Sequence, residues 1–463
     1  MGRWVNLIRS VGASLNRIPL FKPADDPDPG LYHYPRENEG VKTRLHLRID
    51  PDGHGTLLIN ANGIVHLNPT ACLMAHYHLE GLQEAQAVSV LKDRFAVSPK
   101  QVQADYRAVT ADLEAFAAAD GRPIHPQSEV TFHTPFSQRP SSPYRMDLAV
   151  TYRCNNECPH CYNARARTYP ELPTEDWLKV IDRLWELNIP HLVFTGGEPT
   201  LREDLPELIR YAENKGQITG LNTNGRRISD PEYLDKLIQA GLDHVQITLE
   251  SHRSEVHDRM VASRGAWDQT IRGIRGAVQS PLYVMTNTTM LEDNHLELGQ
   301  TLDFLAELGV PTVGLNALIY SGKGKEVGTG LSEDQLEPLL EIAQEKTDRA
   351  GQRLIWYTPT AYCHFNPLDH DLGVKGCTAA LYNMCVEPDG GVIPCQSYYS
   401  RLGHVLQDPW ESIWEHPLAV QLRERRGLPE ECAYCGLLFE CGGGCPLSRQ
   451  EQLIQVSAQS PLT

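Results

Sequence analysis

Between Met146 and Leu315 short apolar runs alternate with longer segments whose apolar residues recur every three or four positions. The runs Met146–Thr151, His191–Phe194, Ile218–Asn222, His244–Leu249, Leu282–Thr288 and Thr312–Leu315 read as buried strands. Trp177–Leu187, Leu205–Lys215, Glu232–Ala240 and Leu296–Leu308 read as helices between them. Six strand–helix units in this order predict an α/β fold: a parallel sheet curved into a partial, TIM-like (β/α)6 barrel over residues 146–355. Chemistry in such folds gathers at the C-terminal ends of the strands.

The pattern upstream is different. Residues 1–42, rich in Pro, Asp and Gly, predict an irregular N-terminal arm. Arg44–Ile49, Thr56–Asn60 and Ile64–Leu67 then read as short strands, with a PDGHG turn between the first two. Asn68-Pro69 has the signature of an N-cap followed by Pro at the first helical position, and Ser98-Pro99 repeats it. Together with a helix over Glu84–Phe95, these predict a winged-helix-like α+β unit at residues 43–117. Residues 118–145 read as a Pro- and Ser-rich linker. The stretch INANGIVHLNPTACLMAHYHLEGLQEAQAVSVLKDRFAVSPKQVQADYRAVTADLEAF resembles the RiPP recognition element, the PqqD-like domain that serves ribosomally made, modified peptides. In that family an exposed strand and the third helix hold a leader peptide by strand addition.

Composition narrows the classes. The chain has 463 residues, enough for two or three domains, and a formal charge of −17. That acidity argues against non-specific association with nucleic acid or anionic lipid. No apolar run is long enough to span a membrane, and no signal-type apolar core is apparent, so the expected location is cytoplasmic. Twelve cysteines in such a chain point to metal binding rather than disulfides. Cys72 falls on the apolar face of the first helix and reads as core.

Cys154, Cys158 and Cys161 follow the first barrel strand in TYRCNNECPHCYN, a C-x3-C-x2-C spacing. Three thiolates are one short of the usual complement of a four-iron cluster, leaving an iron open to a ligand. Asn155 and Asn156 favour the turn that gathers them. A zinc knuckle would need a fourth nearby ligand, and His160, adjacent to Cys161, is poorly placed to supply it. The triad, followed by FTGGEP after the second strand, resembles the radical S-adenosylmethionine (SAM) enzymes. By that resemblance the three cysteines hold a [4Fe–4S] cluster and SAM chelates its fourth iron. One electron then cleaves SAM and releases a 5′-deoxyadenosyl radical. The resemblance further assigns SAM contacts to Gly196, Gly197, Glu198 and Pro199, to Asn222, Thr223 and Asn224 in LNTNG, and to Thr248, Glu250 and Ser251 in ITLES. Glu250 stands where the family usually has Asp. Arg264-Gly265 and Asn287 lie at further contact positions, and His160 is expected beside the adenine.

Cys377, Gly390-x4-Cys395 and Cys432-x2-Cys435-x5-Cys441-x3-Cys445 resemble the SPASM extension of this family, which binds auxiliary Fe–S clusters, here at residues 356–446 with a tail at 447–463. The resemblance gives Cys377, Cys385, Cys395 and Cys445 to a first auxiliary cluster and Cys432, Cys435 and Cys441 to a second. The family's further trailing cysteine has no counterpart in the sequence, so a non-cysteine ligand, an open iron or Cys363 stands fourth. Together the three resemblances imply an oxidoreductase that modifies or cross-links a leader-bearing ribosomal peptide, with flavodoxin or ferredoxin as electron donor. The rival readings are a radical SAM enzyme acting on a haem or tetrapyrrole precursor or on a residue of a partner enzyme, and a non-catalytic zinc adaptor.

Overall fold

In the computed structural model residues 27–38, 41–60, 63–94, 97–118 and 140–449 are described. The expected arm up to residue 26, most of the expected linker and the tail from residue 450 lie outside them.

Alternating apolar residues build the N-terminal unit. Strands β1 (Gly30–Asn38), β2 (Val41–Ile49), β3 (Gly55–Ile59) and β4 (Gly63–Leu67) form an antiparallel sheet in that order. Helices α1 (Pro69–Leu79), α2 (Glu84–Arg94) and α3 (Pro99–Ala118) cover one face of it. Both expected caps form: Asn68 Oδ1 accepts from Ala71 N at 2.8 Å and Ser98 Oγ from Gln101 N at 3.2 Å. Leu45, Leu47, Ile49, Leu57, Ile59, Val65 and Leu67 meet the helices. Cys72 is core as expected, its Sγ lying where a side chain on Gly55 would be.

The expectation of an irregular stretch through residue 42 is corrected here. Gly30–Asn38 is a nine-residue strand, and it pairs along its length with β2. Its Pro35 removes one ladder donor, which an edge strand tolerates, and Tyr32 and Tyr34 pack against the unit's core.

The main sheet has ten strands. β5 (Arg145–Thr151), β6 (His191–Gly196), β7 (Ile218–Thr223), β8 (His244–Thr248), β9 (Tyr283–Thr289), β10 (Thr312–Asn316) and β11 (Arg353–Trp356) lie side by side and parallel. Helices α4 (Thr174–Glu186), α5 (Leu205–Lys215), α6 (Pro231–Gln239), α7 (Ser254–Met260), α8 (Ala266–Val278), α9 (Leu298–Glu307) and α10 (Glu333–Ala350) form the crossovers. The six expected strands are all present, and a seventh, β11, extends the series. Buried Val, Ile and Leu from the strands and the inner helix faces make one continuous core.

The cysteine-rich region is not a detached lobe. β12 (Asn383–Val386) pairs in parallel with β5, Asn383 opposite Arg145, and β13 (Gly391–Ile393) and β14 (Gly403–His404) complete that edge in antiparallel fashion. Short helices α11 (Trp410–Trp414), α12 (Pro417–Arg423) and α13 (Leu438–Cys441) follow.

Candidate active site

The triad lies in the loop between β5 and α4. Glycine decides how closely the next loop can approach it. A Cβ on Gly196 would lie 2.0 Å from the Thr151 carbonyl oxygen, and one on Gly197 would lie 2.3 Å from that of Arg153. Without side chains the two loops bond directly: Gly197 N donates to Thr151 O at 2.7 Å and Glu198 N to Arg153 O at 2.8 Å. Gly196 also has φ +136°, a conformation that favours glycine.

Glu198 is 1% exposed and accepts four hydrogen bonds: from Thr200 N and Oγ1, from Thr223 Oγ1 at 2.7 Å and from Asn224 N at 2.8 Å. Its carboxylate fastens the end of β6 to the end of β7. The Asn224 side chain donates to Asn155 Oδ1 at 2.6 Å. Arg226 Nη1 reaches the Asn155 carbonyl, Asn156 Oδ1 and Ser263 Oγ. The two asparagines read as turn formers are therefore also the handles by which the β7 loop grips the cysteine loop.

A cavity of about 180 Å³ opens between these loops and the strand ends. Cys154, Cys158 and Cys161 all line it, with Gly196, Gly197, Asn222, Thr223, Asn224, Thr248 and Glu250 from the sequence-derived set. Glu198, Pro199 and Ser251 do not. Pro199 is buried in the turn that Glu198 caps, and Ser251 points to Glu297 at the start of α9. Asn287 is on the wall, whereas Arg264 and Gly265 are not.

The wall also contains Gln246, Thr289, Asn316, Arg167, Tyr162 and Gln396, which sequence reasoning missed. Three of them carried a readable signal. Gln246 and Thr248, and Asn287 and Thr289, are pairs two apart on β8 and β9, so each pair shares one face, and Asn316 ends β10. Polar residues alternating with apolar ones in strands covered on both sides mark an inward polar tier.

His160 lines the cavity and pairs with Glu250, Nε2 to Oε1 at 3.0 Å. Burial works against the imidazolium, but the Glu250 carboxylate outweighs it and raises the His160 pKa. The other Glu250 oxygen accepts from Thr289 N at 2.9 Å. Glu250 thus joins the cysteine loop to β9.

The thiols suit an iron–sulfur cluster. Burial, reinforced by the charges of Cys161, Glu250 and Cys154, holds the Cys158 thiol well above its ordinary range, and burial with Glu198 raises Cys154. A bound cationic group relieves that penalty.

The auxiliary cysteines fall into two groups. Cys395 feels the charges of Cys377 and Cys445, and burial pushes both Cys377 and Cys395 up to about 12. Cys432 feels Cys441, Cys363 and Cys435. Cys385 is fully buried in β12 among Ala149, Tyr152 and Ile393, nearer the field of Asp147 than that of Cys395. Gln396, next to Cys395, is on the wall of the triad's cavity and accepts from Tyr162 Oη at 3.3 Å. Arg165, just past the triad, makes a two-pronged ion pair with buried Glu387 after β12. The first auxiliary group is thereby fixed beside the central cavity.

Comparison with known proteins agrees with this architecture. Residues 148–345 match the family model of the radical SAM superfamily, and residues 377–436 match that of the SPASM iron–sulfur cluster-binding domain. The Fe-coproporphyrin III synthase of Methanosarcina barkeri is 29% identical over 343 residues, 67% of this chain and 85% of that protein. The PqqA peptide cyclase of Granulibacter bethesdensis is 29% identical over 310 residues, 64% of this chain and 80% of that one. Among solved structures, Streptococcus suis SuiB bound to its precursor peptide SuiA superposes with a TM-score of 0.65 at 15% identity, covering 87% of this chain and 94% of that one. The chain thus carries a radical SAM domain, which implies a [4Fe–4S] cluster and SAM, followed by a SPASM domain, which implies auxiliary iron–sulfur clusters.

Proposed function

We propose that the protein is a radical SAM maturase that oxidatively modifies or cross-links a leader-bearing ribosomal peptide. The observation that carries this reading is the N-terminal unit. Its outer strand β4 pairs, among the described residues, only with β3, and Ile64 on it is 49% exposed. Such an edge offers a row of backbone donors and acceptors to an incoming strand. Likeness in fold to a structure holding a precursor peptide, and 29% identity to a peptide cyclase, support it.

In this reading Cys154, Cys158 and Cys161 would hold the cluster, and Gly196, Gly197, Asn222, Thr223, Asn224, Thr248 and Glu250 would contact SAM. When bound, the cluster would supply the electron that cleaves SAM to methionine and a 5′-deoxyadenosyl radical. The chain's own work is to orient and to exclude. Arg226 and Asn224 fix the cysteine loop, and Glu198 sets the spacing of two strand ends; the SPASM cysteines would hold clusters able to take up the electron that substrate oxidation releases. Flavodoxin or ferredoxin fits as donor.

The test uses a leader-bearing precursor peptide encoded beside the gene, with and without its leader, and an Ile64→Pro variant that removes a strand donor; absence of any such peptide counts against the reading. Modification of the leader-bearing peptide should fall at least about tenfold in the variant, equivalent to roughly 1.4 kcal/mol of binding, while SAM cleavage without peptide is unchanged. Equal turnover of leaderless and leader-bearing peptide sinks the reading. The 29% identity to an Fe-coproporphyrin III synthase favours a second one, a metalloporphyrin precursor as substrate. Conversion of iron coproporphyrin in the same assay would establish it.

A further inference from the structure

We propose that Cys363 is a ligand of the second auxiliary cluster, closing the site formed by Cys432, Cys435 and Cys441. The inference rests on the SPASM domain alone and is independent of which substrate the enzyme modifies.

The backbone brings Cys363 to that site. After β11 the chain makes a tight turn in which His364 N and Phe365 N both donate to Ala361 O, at 2.9 and 3.0 Å. The turn rests on the Cys441–Cys445 segment through three contacts. Tyr362 N donates to Cys441 Sγ at 3.3 Å, Cys445 N donates to Pro359 O at 3.0 Å, and Gly444 sits so close that a Cβ on it would be 2.9 Å from Ala361 N. Gly444 has φ +71°, so both its conformation and its neighbour call for glycine there. The residue immediately before Cys363 is thus bonded to the sulfur of a cysteine in the second group.

A further contact holds the same turn to the same sulfur, with Cys441 Sγ donating to Thr360 O at 3.9 Å. Of the remaining cysteines, Cys72 lies in the core of the N-terminal unit and Cys385 is buried in β12 among Ala149, Tyr152 and Ile393. His364, the nearest non-cysteine candidate, pairs with Glu333 at 2.8 Å. Four thiols also match the usual complement of a closed four-iron cluster.

Cys363 is exposed, which makes the test direct. The full-length, anaerobically reconstituted protein is treated with iodoacetamide and mapped by mass spectrometry, before and after the clusters are stripped with ferricyanide and EDTA. Cys363 should resist alkylation in the loaded protein, as Cys432 and Cys435 do, and react once stripped. Alkylation of Cys363 while Cys432 and Cys435 stay protected overturns the proposal. A second measurement places Cys363→Ala in a Cys154→Ala/Cys158→Ala/Cys161→Ala background, which removes the radical-generating cluster. About four irons per chain should be lost, or a three-iron paramagnetic signal should appear. Iron content and spectrum identical to the background overturn it equally.

Discussion

Glu198 shows how a motif residue can matter from behind the cavity wall. Its four acceptor bonds all stay within the protein, and burial pushes its carboxyl up against the pull of those donors. In Glu198→Ala the Thr200 and Thr223 hydroxyls and two backbone N–H groups lose their partner, which costs about 1–3 kcal/mol. SAM binding should weaken about tenfold, roughly 1.4 kcal/mol, and thermal unfolding should move down. Titration calorimetry and a melting curve check both, and Glu198→Gln, which keeps one acceptor oxygen, should recover part of each. At this scale the sequence was readable where chemistry dictates residue type. The triad's thiols and most of the strand-end polar residues line one cavity. It was unreadable where direction matters: Ser251 is one residue from Glu250 yet faces α9.

At the scale of elements, β2 is the instructive strand. Leu45, Leu47 and Ile49 face the helices, as the alternation requires. The polar set between them looks like a solvated face, but Arg44, His46 and Arg48 are 2%, 0% and 0% exposed. They dock on the N-terminal ends of the barrel strands. Arg44 Nη1 donates to Gln217 O at 3.0 Å, His46 Nε2 contacts Gly216 O at 2.7 Å, Arg48 Nη1 donates to Ser142 O at 3.0 Å, and the Arg48 guanidinium lies 4.4 Å from the Tyr144 ring. Beneath them His191 and His244, the first residues of β6 and β8, meet Nε2 to Nε2 at 2.8 Å, with Gly220 leaving room for the His244 ring.

Burial, with neighbouring cations adding, depresses His46 and His191 well below 6.5 and His244 to about 4. The native state therefore binds fewer protons than the unfolded chain once the pH drops below 6.5. Stability should be full above that value and fall as the pH approaches about 4. His244 alone contributes on the order of 3 kcal/mol to this fall. Melting curves across the window should show it, and a His191→Gln/His244→Gln variant should flatten it. The first strand was missed for a related reason: its Gly and Pro signal a loop locally, and only pairing with β2 makes Gly30–Asn38 extended.

For the whole molecule, the two faces of the barrel sheet's ends are divided. The triad's cavity is at the C-terminal ends and the N-terminal unit at the opposite ends, separated by strands of five to seven residues such as β8 and β5. On the proposed function, a peptide held at β4 must cover about 20 Å to reach the cavity. The segment between leader and modified residue therefore needs at least about six extended residues. Shortening it below that length should abolish modification, read by mass spectrometry, while leader binding is retained. Modification at undiminished rate would show that the peptide enters by another route.

What the sequence by itself determined is what local chemistry and periodicity encode: the six barrel strands, both helix caps, the buried Cys72, and the cysteine spacings that place a radical SAM domain before a SPASM domain. Only the tertiary structure decided that the auxiliary region continues the barrel sheet through β12, that the polar face of β2 is an internal joint, and that the turn holding Tyr362 and Cys363 bonds to the Cys441 sulfur. Each of these depends on segments far apart in the chain. Their contacts leave no periodic trace, because the same residue satisfies the same pattern whether water or another domain covers it.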